Sequence, residues 1–273
     1  MIYVEAHGAR IPALGLGTFR LEGNVARRMV GYALEIGYRH IDTAQMYGNE
    51  AEVGAAIASS GVPRDEIWLT TKIWPDNFRD GALQRATETS VRRLGTAPDL
   101  LLLHWPSPSV PLAETVRALN DAGRRGLARH IGISNFTVPL IREALARSEE
   151  PLIVDQVEYQ PYLSQAAVHD ELRANGMALI AYSPLAQGRV FGDSTLARVG
   201  ARHGKNPGQV ALRWLIQQRG VAAIPRSSRE AHAKANFAIF DFALSDAEMA
   251  EIAALAGPRG RQVDPAGMAP RWD

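Results

Sequence analysis

Cysteine is absent from the 273 residues, which excludes disulfides, thiolate zinc sites and a cysteine nucleophile. A charge surplus is also missing: 30 basic residues stand against 29 acidic ones for a formal charge of +1, without long runs of one sign. That balance gives no general attraction for nucleic acid or for an anionic membrane surface, so any anion site must be local. No apolar run approaches a transmembrane span, and the opening MIYVEAHGARIP lacks the apolar core of a signal peptide. The expectation is a soluble, cytoplasmic chain. His7, His40, His130, His169 and His203 show no metal-ligand spacing, so no metal is assigned. No Ser/Gly-rich linker or composition break divides the sequence and coiled-coil heptads are lacking, so residues 1–273 read as one domain and a monomer.

What recurs instead is a short apolar run, a polar residue, a loop and an amphipathic helix. After a hairpin expected in the first dozen residues come ALGLG, YRHI, EIWLTT, DLLLL, RHIGI, LIVD, MALIA and VAAI, eight runs each short enough for a strand. LLLL at 100–103 is apolar on both faces, as a parallel strand covered on both sides should be. The intervening helices carry end signals. Asn49 with Glu52 predicts a capping box ahead of Val53, Ala56 and Ile57, with Gly61 as the stop. Leu83, Thr87, Val91 and Leu94 keep roughly helical spacing up to Gly95, and Ser245 with Glu248 repeats the capping box before Met249, Ile252 and Leu255. An open dinucleotide-binding sheet should show G-x-G-x-x-G at its first turn, but Gly15-Leu16-Gly17-Thr18-Phe19-Arg20 lacks the third glycine. Eight strands without that fingerprint predict an eight-stranded parallel β/α (TIM) barrel, with its active site at the C-terminal strand ends.

The strand ends carry Thr18, Asp42, Lys72, His104, Ser134 with Asn135, Gln156, Tyr182 with Ser183, and Arg226 with Ser227. Each alone has a plain reading as a loop polar residue or a satisfied core histidine. Together they suggest chemistry. A phenol has an unperturbed pKa of about 10, and a lysine ammonium nearby would lower it. Lys72 can supply that ammonium, Asp42 can hold it charged, His104 can donate to a carbonyl oxygen on which charge develops, and Tyr47 can serve as general acid to that oxygen. Without a metal cluster, a cysteine or a Ser-His-Asp pattern, an external hydride from a nicotinamide is the economical attacking group. Tyr182 could stack on the nicotinamide and Ser134, Asn135 and Gln156 could bond its carboxamide. Arg226, Ser227 and Ser228 precede a helix whose N-terminus suits a phosphate. Two other readings stay open: a Schiff-base barrel lyase with Lys72 as nucleophile, and a cofactor-binding regulatory subunit of the same fold.

Over essentially its whole length the sequence resembles the aldo-keto reductase superfamily, through GLGT (15–18), DTAQMYGNE (42–50), TTKIW (70–74), LLLLHWP (100–106), IGISNF (131–136), QVEYQPY (156–162), YSPLAQG (182–188) and IPRS (224–227). Its ending, PAGMAPRWD, is similar to that of bacterial 2,5-diketo-D-gluconate reductases of the B type. The resemblance implies a barrel closed at its base by an N-terminal hairpin, and NADPH-dependent reduction of aldehydes and ketones. The implied substrates are small dicarbonyls such as methylglyoxal, or keto-sugar acids such as 2,5-diketo-D-gluconate. Asp42, Tyr47, Lys72 and His104 match the catalytic tetrad, with Tyr47 as proton donor. The implied cofactor contacts are Gly17, Thr18, Phe19, Ser134, Asn135, Gln156, Tyr182, Ser183, Pro184, Leu185, Gln187, Ile224, Pro225, Arg226, Ser227, Ser228, His232 and Asn236. Phe19, Trp74 and Trp105 would wall the substrate pocket, and the tail with Met268 and Trp272 would build its rim.

The departures fall in the adenosine-phosphate segment. Many relatives have lysine at the position of Arg226, arginine at that of His232 and glutamate at that of Ala235, while Asn236 is kept. Arg226 can still bind a 2′-phosphate bidentately, but His232, near its reference pKa of about 6.5, is a weaker phosphate partner. The expectation is NADPH preference with more tolerance of NADH than usual.

Overall fold

The computed structural model describes residues 1–273. All eight expected strands form behind a hairpin of β1 (Tyr3–Ala6) and β2 (Ala9–Pro12). They are β3 (Leu16–Gly17), β4 (His40–Asp42), β5 (Trp68–Ile73), β6 (Leu100–Leu103), β7 (His130–Ser134), β8 (Leu152–Glu158), β9 (Ala178–Tyr182) and β10 (Val221–Ala223). From β3 to β10 each strand pairs in parallel with the next. The sheet closes on itself through bridges between Leu14 and Ala223 and between Gly17 and Arg226. Gly15 N donates to Ala223 O at 2.9 Å and Ala223 N to Ala13 O at 2.8 Å across that seam. The seam needs small residues: a Cβ on Gly17 would lie 2.9 Å from Ile224 O, and one on Gly15 only 2.7 Å from the His40 ring. The expected barrel is therefore present, and its helices cover the outside as the alternating pattern requires.

The hairpin turns at His7-Gly8, both with positive φ (45° and 82°), the backbone a two-residue type I′ turn requires. Its alternation puts Val4, Ala6, Ala9 and Ile11 inside while Glu5 and Arg10 face water. The buried face lies over the N-terminal end of the barrel, where His40 Nδ1 meets Pro12 O at 3.0 Å. Leu100 to Leu103 are completely buried, each contributing about 1.5–3 kcal/mol on the usual scale for a leucine.

The helix ends follow the sequence signals in two cases and not in a third. Helix Ala82–Leu94 stops at Gly95 in the left-handed region, with Leu83, Thr87 and Leu94 buried and Val91 half-buried. Ser245 and Glu248 form the expected capping box ahead of helix Asp246–Ala253. Asn49, by contrast, makes no side-chain cap for helix Glu50–Ser59. Its side chain is buried and turned to the barrel loops, accepting from Thr43 Oγ1 and donating to Thr18 O and Leu21 O. Glu50 and Glu52 in the first turn complement the helix dipole in its place.

Glu248 also ties two helices together, since His203 Nε2 lies 3.1 Å from both of its oxygens. Burial alone would raise its pKa, but hydrogen bonds from the Ser245 backbone, His203 and Ser245 Oγ outweigh that and draw it from 4.5 down to about 2. A depressed carboxyl stabilises the fold above its unfolded pKa and loses that contribution as pH falls through the folded value. Glu248→Gln should lower Tm by roughly 2–6 °C at pH 7, from about 1–2 kcal/mol for the cap and its partners. Thermal unfolding from pH 7 to pH 2 should find that gap intact above 4.5 and closing toward 2.

Candidate active site

Four strand and loop ends bring Asp42, Tyr47, Lys72 and His104 to one mouth. Lys72 projects from β5 and is completely buried, with Asp42 at the end of the neighbouring β4. Lys72 Nζ lies 2.5 Å from Asp42 Oδ1, 2.9 Å from Thr43 O and 3.4 Å from Tyr47 Oη, so its three N–H donors all have acceptors. Asp42 Oδ2 accepts from Gln156 Nε2 at 2.7 Å. A buried ion pair persists only when its remaining polar positions are satisfied in this way. Burial pulls the Lys72 pKa below its usual 10.5, and Asp42 opposes the shift.

Tyr47 sits in the single helical turn Gln45–Tyr47 after β4, half-buried, with its hydroxyl end deepest. Its pKa is raised well above 10, first by burial and then by the Asp42 charge. The expected lowering by Lys72 is thus not met. The reason is that burial of the phenol dominates and the nearby Asp42 carboxylate adds to the rise. The result is a phenol that keeps its proton through neutral pH.

His104 follows β6 with its ring edge-on to Tyr47 (centroids 5.7 Å apart) and to Trp74 (5.2 Å). Burial, then Lys72, holds its pKa well below 6.5, so the imidazole is neutral. Its Nδ1 is buried with no partner. A bare lone pair is the cheaper group to leave there than an N–H, which assigns the ring proton to Nε2 as a donor for the mouth. Phe19 lies 5.1 Å from the Tyr47 ring, and Trp105 follows His104 directly in the chain.

The residues read as nicotinamide partners occupy the same rim but are bonded largely to the protein. Tyr182 Oη donates to Asn135 Oδ1 at 2.7 Å, Asn135 Nδ2 donates to His104 O at 3.0 Å and Ser134 Oγ to Gln156 O at 2.7 Å. Gln156 thus spends its amide nitrogen on Asp42 rather than holding both ends free for a carboxamide. Six non-glycine residues have positive φ, and five of them, Arg20, Asn135, Ser183, Ala186 and Gln187, lie beyond the C-terminal strand ends. Such strain persists where surrounding structure imposes it and gathers at functional sites. Arg226, next to the barrel seam, donates to Phe19 O and Arg20 O at 3.2 and 3.0 Å and to Ser228 Oγ at 3.4 Å. His232 is exposed on the following helix Glu230–Phe237, and Asn236 is buried.

Residues 13–256 match the model of the aldo/keto reductase family. The chain belongs to that family. It is 43% identical over 267 residues to a methylglyoxal reductase, DkgB, of Salmonella typhimurium, covering 96% of this chain and 99% of that one. A crystal structure assigned as a 2,5-diketo-D-gluconic acid reductase B superposes with a TM-score of 0.98 at 51% identity, covering 100% of this chain and 98% of the other. An aldo-keto reductase of Bombyx mori in complex with NADP superposes at 0.89 with 32% identity, covering 97% and 95%. This aldo-keto reductase is an oxidoreductase.

Several of its mouth residues escape sequence reading. Glu158, fully buried at the end of β8, accepts from the backbone of Gln262 and Val263 at 2.9–3.1 Å and so fixes the tail to the barrel. Gln262 Nε2 reaches Ala186 O at 3.1 Å, in the strained segment after β9. Arg261 lies 3.5 Å over the Trp272 ring, which meets Trp105 edge-on at 6.2 Å, so the tail packs onto Trp105. The one available signal for this loop is Gly260, where a Cβ would fall 1.8 Å from Tyr162 O.

Asp42→Asn keeps the shape of the pair but removes the counter-charge of Lys72. The expected loss is about 3–5 kcal/mol, measured by urea unfolding at pH 7. The lone buried lysine then has a depressed pKa, so its penalty applies below the unfolded value and should shrink as pH rises toward 10.5.

Proposed function

We propose that this aldo-keto reductase reduces small carbonyl compounds with NADPH, methylglyoxal-like dicarbonyls and keto-sugar acids being the substrates that fit its relatives and its aromatic pocket walls. The carrying observation is a protonated Tyr47 hydroxyl 3.4 Å from Lys72 Nζ, beside a neutral His104. The residues fit a nicotinamide dinucleotide. Asn135 Oδ1 and Gln156 Oε1 can accept from a carboxamide, Tyr182 presents an aromatic ring, and Arg226 now spends its N–H groups on neutral acceptors that a phosphate would outcompete. When bound, the cofactor supplies a hydride to the carbonyl carbon.

The protein's own groups handle the oxygen. His104 Nε2–H and the Tyr47 hydroxyl converge on it, and negative charge developing there is met by donors already in place. Tyr47 gives up its proton to the alkoxide and the resulting phenolate is stabilised by the adjacent Lys72 ammonium, while Asp42 and Thr43 O keep that ammonium aimed. A lysine with all three N–H groups bonded and a carboxylate at contact distance is a poor Schiff-base nucleophile, which speaks against the lyase reading. Apolar walls of Phe19, Trp74, Trp105 and Trp272 suit a small planar carbonyl compound.

Loss of NADPH absorbance with methylglyoxal and with 2,5-diketo-D-gluconate tests the proposal. Tyr47→Phe should cut kcat by about 10²–10⁴-fold while NADPH affinity, read by fluorescence quenching, stays within about threefold on the same grounds. Retained turnover in Tyr47→Phe would remove Tyr47 as the acid. Arg226→Ala should weaken NADPH by roughly 10–100-fold, as loss of a charge-assisted phosphate contact does, and leave NADH nearly unchanged. Equal losses for the two cofactors would place the 2′-phosphate elsewhere.

A further inference from the structure

Around the Lys72–Asp42 pair the hydrogen bonds close into a ring. Lys72 Nζ donates to Asp42 Oδ1 and to Thr43 O. Thr43 Oγ1 donates to Asn49 Oδ1 at 2.7 Å, and Asn49 Nδ2 donates to Thr18 O at 2.9 Å and Leu21 O at 2.8 Å. Thr18 returns to Asp42 O through both its N–H and its hydroxyl, each at 3.0 Å. All five residues of the ring are at most 1% exposed. Water therefore does not compete for these bonds, and leaving one unmade would carry the full desolvation penalty.

Asn49 has no simple substitute in this ring. Both hydrogens of its amide nitrogen go to carbonyls of the segment after β3, and its amide oxygen accepts from the segment after β4. An aspartate there would accept but not donate, and a leucine would do neither. The Thr43–Asn49 bond also spans the base of a loop whose middle holds Tyr47, while the Thr18 and Leu21 bonds hold the segment carrying Phe19. That ring lies 5.1 Å from the ring of Tyr47. The cap-like position of Asn49 is thus incidental to what its side chain does.

We propose that Asn49 is a positioning residue for carbonyl reduction, clamping the base of the 43–49 loop so that Tyr47 Oη keeps its place beside Lys72 Nζ. The role rests on the reading of Tyr47 as the acid, and acts through geometry rather than contact with substrate. Displacement of a reacting group by about 1 Å can cost about 10²-fold in rate.

The test uses Thr43→Val, which removes only the hydroxyl that closes the loop, beside Asn49→Ala, in the full chain with NADPH. Thr43→Val should lower kcat by about 10–100-fold with NADPH affinity within about threefold, and Thr43→Ser should restore kcat because it keeps the hydroxyl. The double variant should be no slower than Asn49→Ala alone, since both break one link. Folded Thr43→Val turning over within about threefold of native, or losses that multiply in the double variant, would overturn the proposal. Ultraviolet titration of Tyr47, taken as native minus Tyr47→Phe, decides the matter even if the native chain reduces no carbonyl tried. Because burial is the main cause of the raised Tyr47 pKa, an unclamped loop should move the midpoint down toward 10; an unmoved midpoint in Thr43→Val would equally overturn the clamp. Absent native turnover counts against the reductase reading, not against the clamp.

Discussion

A lysine ammonium and an aspartate in contact under complete burial is the constraint on which the active mouth depends. Taking two charges out of water costs several kcal/mol per ion, and their attraction offsets this only when every other polar valence is met. Here Thr43 O, Tyr47 Oη and Gln156 Nε2 meet them. Burial governs both neighbours and each charge of the pair adds to it, Asp42 on Tyr47 and Lys72 on His104, so Tyr47 keeps its proton and His104 stays neutral. A protonated phenol and a neutral imidazole thereby coexist beside a cation.

The barrel makes such an arrangement possible because adjacent parallel strands deliver side chains to the same end. Asp42 pairs in register with Thr70 on β5, two residues before Lys72, and β8 brings Gln156 across the interior. The N-terminal hairpin lies over the opposite end, leaving the C-terminal loops to build the rim. Most of the strained backbone gathers there too: the left-handed residues Asn135, Ser183, Ala186 and Gln187 follow β7 and β9, with Asn135 accepting from Tyr182 and Ala186 from Gln262.

Strands were legible because their apolar runs are short and bounded, and LLLL at 100–103 allows little else. The polar residue just past each run was legible for the same reason, which is why Asp42, Lys72 and His104 could be named together. What remained hidden depends on partners distant in sequence. Asn49 satisfies the capping pattern locally, yet Thr18 and Leu21, about thirty residues earlier, claim its side chain. Gln156 is separated from Asp42 by 114 positions. The direction of the Tyr47 shift depends on how deeply the phenol is buried and on its closeness to Asp42, neither of which spacing reveals. Glu158 holds a tail about a hundred residues downstream, and only the clash at Gly260 hints at so close an approach.

With Lys72 held as an ammonium and Tyr47 as the proposed acid, a carbonyl carbon is expected to receive hydride directly. The most direct measurement is the fate of deuterium from NADPH labelled at the transferring nicotinamide position, turned over with methylglyoxal and followed by mass spectrometry and proton NMR of the product. One deuterium per molecule is expected, on the carbinol carbon formed from the carbonyl. A product that forms without the label would contradict it.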